Sequence, residues 1–120
     1  MRTMSELMEA VRRGPDFHKA GMALFHNGVV RETSRDGRRV SGLEVTADHE
    51  RLGEIVARHQ KRPGIVDVRV EINENKKLAV GDDVMFIAVA GDIREHVIPV
   101  LTDVLNEVKA TVTKKTEFFV

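Results

Sequence analysis

The run IVDVRVEI, residues 65–72, alternates without a break, and that pattern has one common structural solution. Side chains on a β-strand point alternately to opposite faces. The run therefore predicts a half-buried strand with Val66, Val68, Val70 and Ile72 on one face. Asp67, Arg69 and Glu71 occupy the other. Shortly afterwards, residues 84–90 read VMFIAVA with no polar side chain, which predicts a strand buried on both faces.

The remaining elements follow from caps and turns. Thr3 and Glu6 form a capping box ahead of Leu7, Ala10 and Val11, and Gly14-Pro15 ends that helix. The stretch AGMALFHNGVVRE, residues 20–32, reads as a strand with a bend or bulge at Gly28. TSRDGRR is turn chemistry with Asp36-Gly37 at its tip, and VSGLEV is the returning strand. Asp48 caps a second helix whose stripe is Leu52, Ile55, Val56 and His59, closed by Pro63-Gly64. A short strand and a Gly81-Asp82 turn precede the buried strand. Asp92 and Glu95 read as a capping box opening the longest helix. Its core stripe is Ile93, Val97, Val100, Leu101, Val104, Leu105 and Val108, and Pro99 kinks it. TVTKKTEFFV is an edge strand. The order is helix, two strands, helix, three strands, helix, strand. Hairpins outnumber crossovers, so the expected fold is α+β, one domain over residues 1–120, with a mainly antiparallel sheet packed with three helices.

Composition narrows the function classes. A chain of 120 residues with 42% hydrophobic content suits a single core. Nineteen basic and nineteen acidic side chains balance to zero, which argues against a dedicated nucleic-acid binder. The absence of cysteine removes disulfides, thiolate nucleophiles and cysteine-ligated metals, and fits a reducing cytoplasm. Neither a signal-peptide core nor an apolar run of roughly 20 residues is present, so a soluble cytoplasmic domain without membrane contact is expected.

Four arginines, Arg31, Arg35, Arg38 and Arg39, lie within nine residues. They read either as a solvated hairpin tip or as an anion site, because guanidinium forks match phosphate or carboxylate. Arg31 stands at a strand end, where a scaffold can hold it; Arg35, Arg38 and Arg39 read as a flexible rim that draws in an anion. Lys109, Lys114 and Lys115 cluster near the end of the last helix. They either complement its dipole or supply an amine activated by neighbouring cations. The five histidines show no liganding spacing, so no metal site is expected, and His59 reads as packed. No phosphate-binding loop, dinucleotide fingerprint or nucleophile elbow is present.

From about Gly21 onward the order of motifs resembles the large, catalytic subunit of molybdopterin synthase, the MoaE family. The matching pieces are GVVR (Gly28 to Arg31), LAVGDDVMFIAV (Leu78 to Val89), Arg94 opening the long helix, Lys109 closing it, and TVTKKTE after it. The resemblance implies a sulfurtransferase of molybdenum or tungsten cofactor biosynthesis. Two sulfurs enter a cyclic pyranopterin monophosphate and form the dithiolene of molybdopterin. The sulfur donor is a thiocarboxylate on the Gly-Gly C-terminus of a small ubiquitin-like (MoaD-like) subunit, and two large subunits form a homodimer. No permanently bound cofactor is implied. Carried over by position, Arg31 and Arg94 bind the substrate, with Arg38 and Arg39 beside them. Lys109 and one of Lys114 or Lys115 are the catalytic amines. The activity requires these groups to converge in one positively charged cavity.

The chain departs from the family pattern at several positions. Asn73-Glu74 stand in place of a His-Arg pair, and Ile93 in place of the histidine before Arg94. Thr111 and Thr113 replace a proline and a tryptophan, and Thr46-Ala47 replace a Glu-His pair. Loss of positive charge at residue 74 supports an alternative: a non-catalytic relative that binds a ubiquitin-like partner or another phosphorylated metabolite.

Overall fold

The computed structural model describes all 120 residues. Its centre is the strand β5 (Asp83–Gly91), which carries the polar-free run. β5 pairs antiparallel with β1 (Met22–Val29) on one side and with β3 (Ile65–Ile72) on the other. Both faces of β5 are covered. Met85, Ile87 and Val89 pack against α2 (His49–Gln60) and α3 (Arg94–Thr111) through Ile55, Val97, Val100, Val104 and Val108. Phe86, Ala88 and Ala90 face α1 (Met4–Arg12), where Leu7 and Val11 close a second cluster. Deleting a buried aromatic such as Phe86 from a layer this dense costs about 3–5 kcal/mol.

The unbroken alternation of residues 65–72 does not place every valine on one face. The pairing with β5 slips between Ile65 and Asp67, leaving Val66 as an extra residue. Val66 consequently joins the α1 cluster, while Ile65, Val68, Val70 and Ile72 pack on the α2/α3 side. The charged face is also occupied. Arg2 donates to both Glu71 carboxylate oxygens at 2.8 Å, and Arg69 pairs with Asp67 at 2.8 Å.

A second sheet has the order β4 (Leu78–Ala79), β2 (Val40–Ala47), β6 (Thr113–Phe119), again antiparallel. β6 is an edge strand, as its sequence predicts. The expected hairpin between the strands flanking the arginine loop is not formed. β1 belongs to the first sheet and β2 to the second, and only the Thr33–Arg39 bridge closes the loop between them. Residues 78–82 capture the chain as it leaves β1: Val30 N–H donates to Asp82 at 3.0 Å and Gly81 N–H to Val30 at 2.8 Å. Gly81 turns there with φ +89°, and Val30, Val40 and Leu78 form a third small core.

The helix starts follow the sequence twice and depart from it once. Thr3 and Glu6 make the reciprocal capping box, and Asp48 accepts from the Arg51 N–H. The expected Asp92–Glu95 box is absent. Ile93 is the N-cap, extended and half-exposed, and contributes nothing to the core stripe. Asp92 instead accepts from the Ile93 N–H and pairs with His96, both at 2.7 Å. Those two side chains occupy the space beside Gly64, whose φ of +78° ends the α2 connection. His59 is buried between α2 and α3, with Glu107 at Nε2 (3.1 Å) and Arg62 at Nδ1 (3.2 Å). No helix is long and apolar enough to cross a membrane.

Candidate functional site

Where the two sheets meet, the end of β1, the loop after it, β2, the end of α3 and β6 enclose a cavity of about 450 Å³. That is within the range of small-molecule sites, about 300–1,000 Å³. Its walls are apolar at Val40, Leu43, Val45, Ile72, Val84 and Met85. Its charged lining is one-sided: Arg31, Arg35, Lys109 and Lys115 against the single carboxylate of Glu117.

Each cation is placed by a separate local cause. Arg31 follows the bulge where β1 loses register between Gly28 and Val29, and its Nε donates to the Thr33 carbonyl at 2.7 Å, leaving the outer nitrogens of the fork uncommitted. Arg35 belongs to a turn built on Ser34, a buried serine whose hydroxyl bonds to the Asp36 carboxylate. The Arg38 N–H donates to Ser34 Oγ at 3.2 Å, and the Ser34 N–H to the Arg38 carbonyl at 2.9 Å. The Ser34 hydroxyl, then the Arg38 N–H, hold the Asp36 carboxyl below its ordinary range. The segment expected to be a flexible rim is thus a hydrogen-bonded turn.

Lys109 lies in the last turn of α3. Lys115 stands opposite Val45 in the β2–β6 ladder, and its Nζ lies 3.7 Å from Glu117. Strand alternation sends Thr113, Lys115 and Glu117 into the cavity and leaves Lys114 off it. Of these two neighbouring lysines, Lys115 lines the cavity and Lys114 does not.

Three other candidates do not reach the cavity within one chain. Arg38 stacks over the Phe119 ring, 3.6 Å from its centroid. Arg39 is tied to the end of the chain, its carbonyl accepting from the Val120 N–H at 3.1 Å. Arg94 pairs with Glu95 at 3.2 Å and opens the helix that Lys109 closes. Fifteen residues of α-helix separate those two positions by about 22 Å.

Arg35, read from the sequence as part of the rim, lines the cavity itself, and His26 is the cavity residue that escaped the sequence reading. The signal for His26 was its parity with Gly28, two residues apart on one strand. Burial first, then the charge of Lys109, keeps its imidazole below the ordinary value of 6.5. Asn73 and Glu74, whose identity supported the non-catalytic alternative, lie outside the cavity lining. Asn73 bonds to the Asp83 carbonyl at 2.9 Å, and Glu74 pairs with His49 at 2.5 Å.

The fold and chain order agree with known proteins. The structure resembles a molybdopterin cofactor biosynthesis protein E of Burkholderia multivorans, at 24% identity and TM-score 0.77, covering 99% of this chain and 84% of that one. It also resembles a molybdopterin synthase of Staphylococcus aureus, at 22% identity and TM-score 0.73, covering 85% and 77%. A third likeness is to a chain in a complex of subunits 1 and 2 of the molybdopterin-converting factor of Helicobacter pylori, at 13% identity and TM-score 0.74, covering 98% and 84%. None of the curated proteins compared with the chain matches it. The model of the MoaE protein family matches residues 2–111, nearly the whole chain, and by that match the chain belongs to the MoaE family.

Proposed function

We propose that this MoaE-family protein acts in molybdenum or tungsten cofactor biosynthesis, transferring sulfur from the thiocarboxylate of a small ubiquitin-like subunit to a cyclic pyranopterin monophosphate. The observation that carries this reading is the convergence of Arg31, Arg35, Lys109 and Lys115 on one cavity with a single opposing carboxylate. Both reactants are anions. A cationic, partly apolar cavity concentrates them and offsets the repulsion between them.

In this reading the guanidinium forks of Arg31 and Arg35 hold the substrate phosphate, since arginine grips such oxygens bidentately. Lys109 and Lys115 face the end of the inserted Gly-Gly tail. There their ammonium groups stabilise the charge that moves through the thiocarboxylate as its sulfur forms a bond to a substrate carbon. As that bond forms, the carbon–oxygen bond it replaces breaks and the oxygen leaves as water or stays with the phosphate. Water then cleaves the tail's carbon–sulfur bond, the tail departs as a carboxylate, and the sulfur stays on the substrate as a thiolate. Two such transfers, each from a fresh tail, make the dithiolene.

Arg94 joins this site only from a second copy, because α3 holds it far from Lys109 in its own chain. A homodimer is therefore part of the proposal. Exposed Ile93 and Ile98 flank Arg94 and give that end of α3 an apolar surface for pairing.

The test is incubation with a thiocarboxylated small subunit and the cyclic pterin precursor. Dithiolene product is expected, with its yield collapsing in Lys109→Ala. An undiminished yield in that variant overturns the assignment. Tight binding of the small subunit without any product supports the non-catalytic alternative instead.

A further inference from the structure

His26 stands on β1 opposite Ile87 of β5, in the cavity wall. Its Nε2 is buried and has no hydrogen-bond partner, the one buried side-chain nitrogen or oxygen of the protein in that state. The ring lies against Gly28, where an added Cβ would come within 3.3 Å of Nε2. Lys109 faces it from α3, Lys115 and Glu117 from β6, and Arg31 and Arg35 from the loop. The lining residues of β2, β3 and β5 are all apolar. Folded proteins satisfy nearly all their buried polar atoms, and one left unpaired beside a cationic cavity asks what completes it.

We propose that His26 is a conditional cation of this cavity, neutral when the cavity is empty and protonated when a doubly charged anion binds. The inference rests on the cavity's being an anion site, as the proposed function requires, and adds a ligand-sensing residue to it. In the empty cavity two effects oppose a proton on the ring. Burial deprives the imidazolium of water, and Lys109 repels a second positive charge. A dianion reverses both, because it offsets the charge of Lys109 and offers an acceptor to the imidazolium N–H. By linkage the proton and the dianion then strengthen each other's binding. A monoanion such as a cyclic phosphodiester draws the proton less strongly, so the device distinguishes a singly charged cyclic phosphate from the doubly charged monoester that its ring opening yields.

Inorganic sulfate is the probe, since it stays doubly charged throughout the range in which histidine titrates. The titration midpoint of the His26 ring is followed by nitrogen-15 NMR with and without sulfate, with exposed His18 as internal reference. The midpoint of His26 is expected to rise by about 1 pH unit while His18 stays put, which corresponds to sulfate affinity up to about tenfold tighter on the acid side. His26→Gln, which keeps a polar group that does not titrate, should lose that pH dependence, its sulfate affinity no longer tightening on the acid side. Sulfate that shifts the Gly28 and Arg31 amides but not the His26 midpoint overturns the inference and leaves the anion site standing. Sulfate that shifts none of these overturns both the inference and the anionic reading of the cavity.

Discussion

Lys109 and Lys115 lie six residues apart in the chain, one in the last turn of α3 and the other on β6, and both face the same cavity. Lys114, adjacent to one of them, does not line it. Lys115→Ala should therefore lower single-turnover sulfur transfer by about 10²-fold, the scale of removing one stabilising donor from a charged site. Lys114→Ala should stay within about twofold, as surface changes away from a site do. Equal losses in the two variants would contradict the strand parity on which the assignment rests.

Arg31 and Arg38 separate in the same way. Arg31→Ala should weaken binding of the phosphorylated substrate by roughly 10- to 100-fold, the worth of a charge-assisted contact of about 1.5–3 kcal/mol. Arg38, committed to the Phe119 ring, should change affinity by no more than about threefold when replaced by alanine, mostly through long-range attraction. Isothermal titration at two salt concentrations distinguishes the cases, because the Arg38 effect fades at high salt.

Gly64 carries a structural prediction. Its φ is +78°, and an added Cβ would collide with Asp92 Oδ1 and His96 Nδ1, so there is no room for a side chain. Gly64→Ala should destabilise the fold by more than about 1 kcal/mol in urea denaturation. Gly53→Ala, in open space on α2, should be neutral or stabilising by up to about 1 kcal/mol.

The histidine in the cavity gives a pH dependence with a definite sign. His26 binds its proton less readily folded than unfolded, so below pH 6.5 the unfolded chain takes up a proton that the folded one does not. This contribution to stability is present above that pH and is lost as the pH falls toward the lower folded value. His26→Gln should flatten the stability profile between those two points. A profile unchanged by the substitution would show that the ring titrates as it does in solvent.

Local chemistry was enough to write most of the elements into the sequence. The Thr3–Glu6 box, the Asp48 cap, the polar-free run of β5 and the valine stripe of α3 each depend on residues within a turn or two of one another. Arg31 and Lys109 were legible as candidates because a strand end and a helix end are local features. Everything that depends on which segments meet in space was decided by tertiary structure. Pairing with β5 displaced Val66 to the α1 face, and capture by residues 78–82 sent β1 and β2 into different sheets. The register of β6 against β2 turned Lys115 inward, and the length of α3 carried Arg94 away from Lys109. Periodicity in a sequence reports which side chains share a face, but the partner that face meets is chosen by non-local burial and backbone pairing. For that reason the cationic residues could be read from the chain, while the cavity they form required the fold.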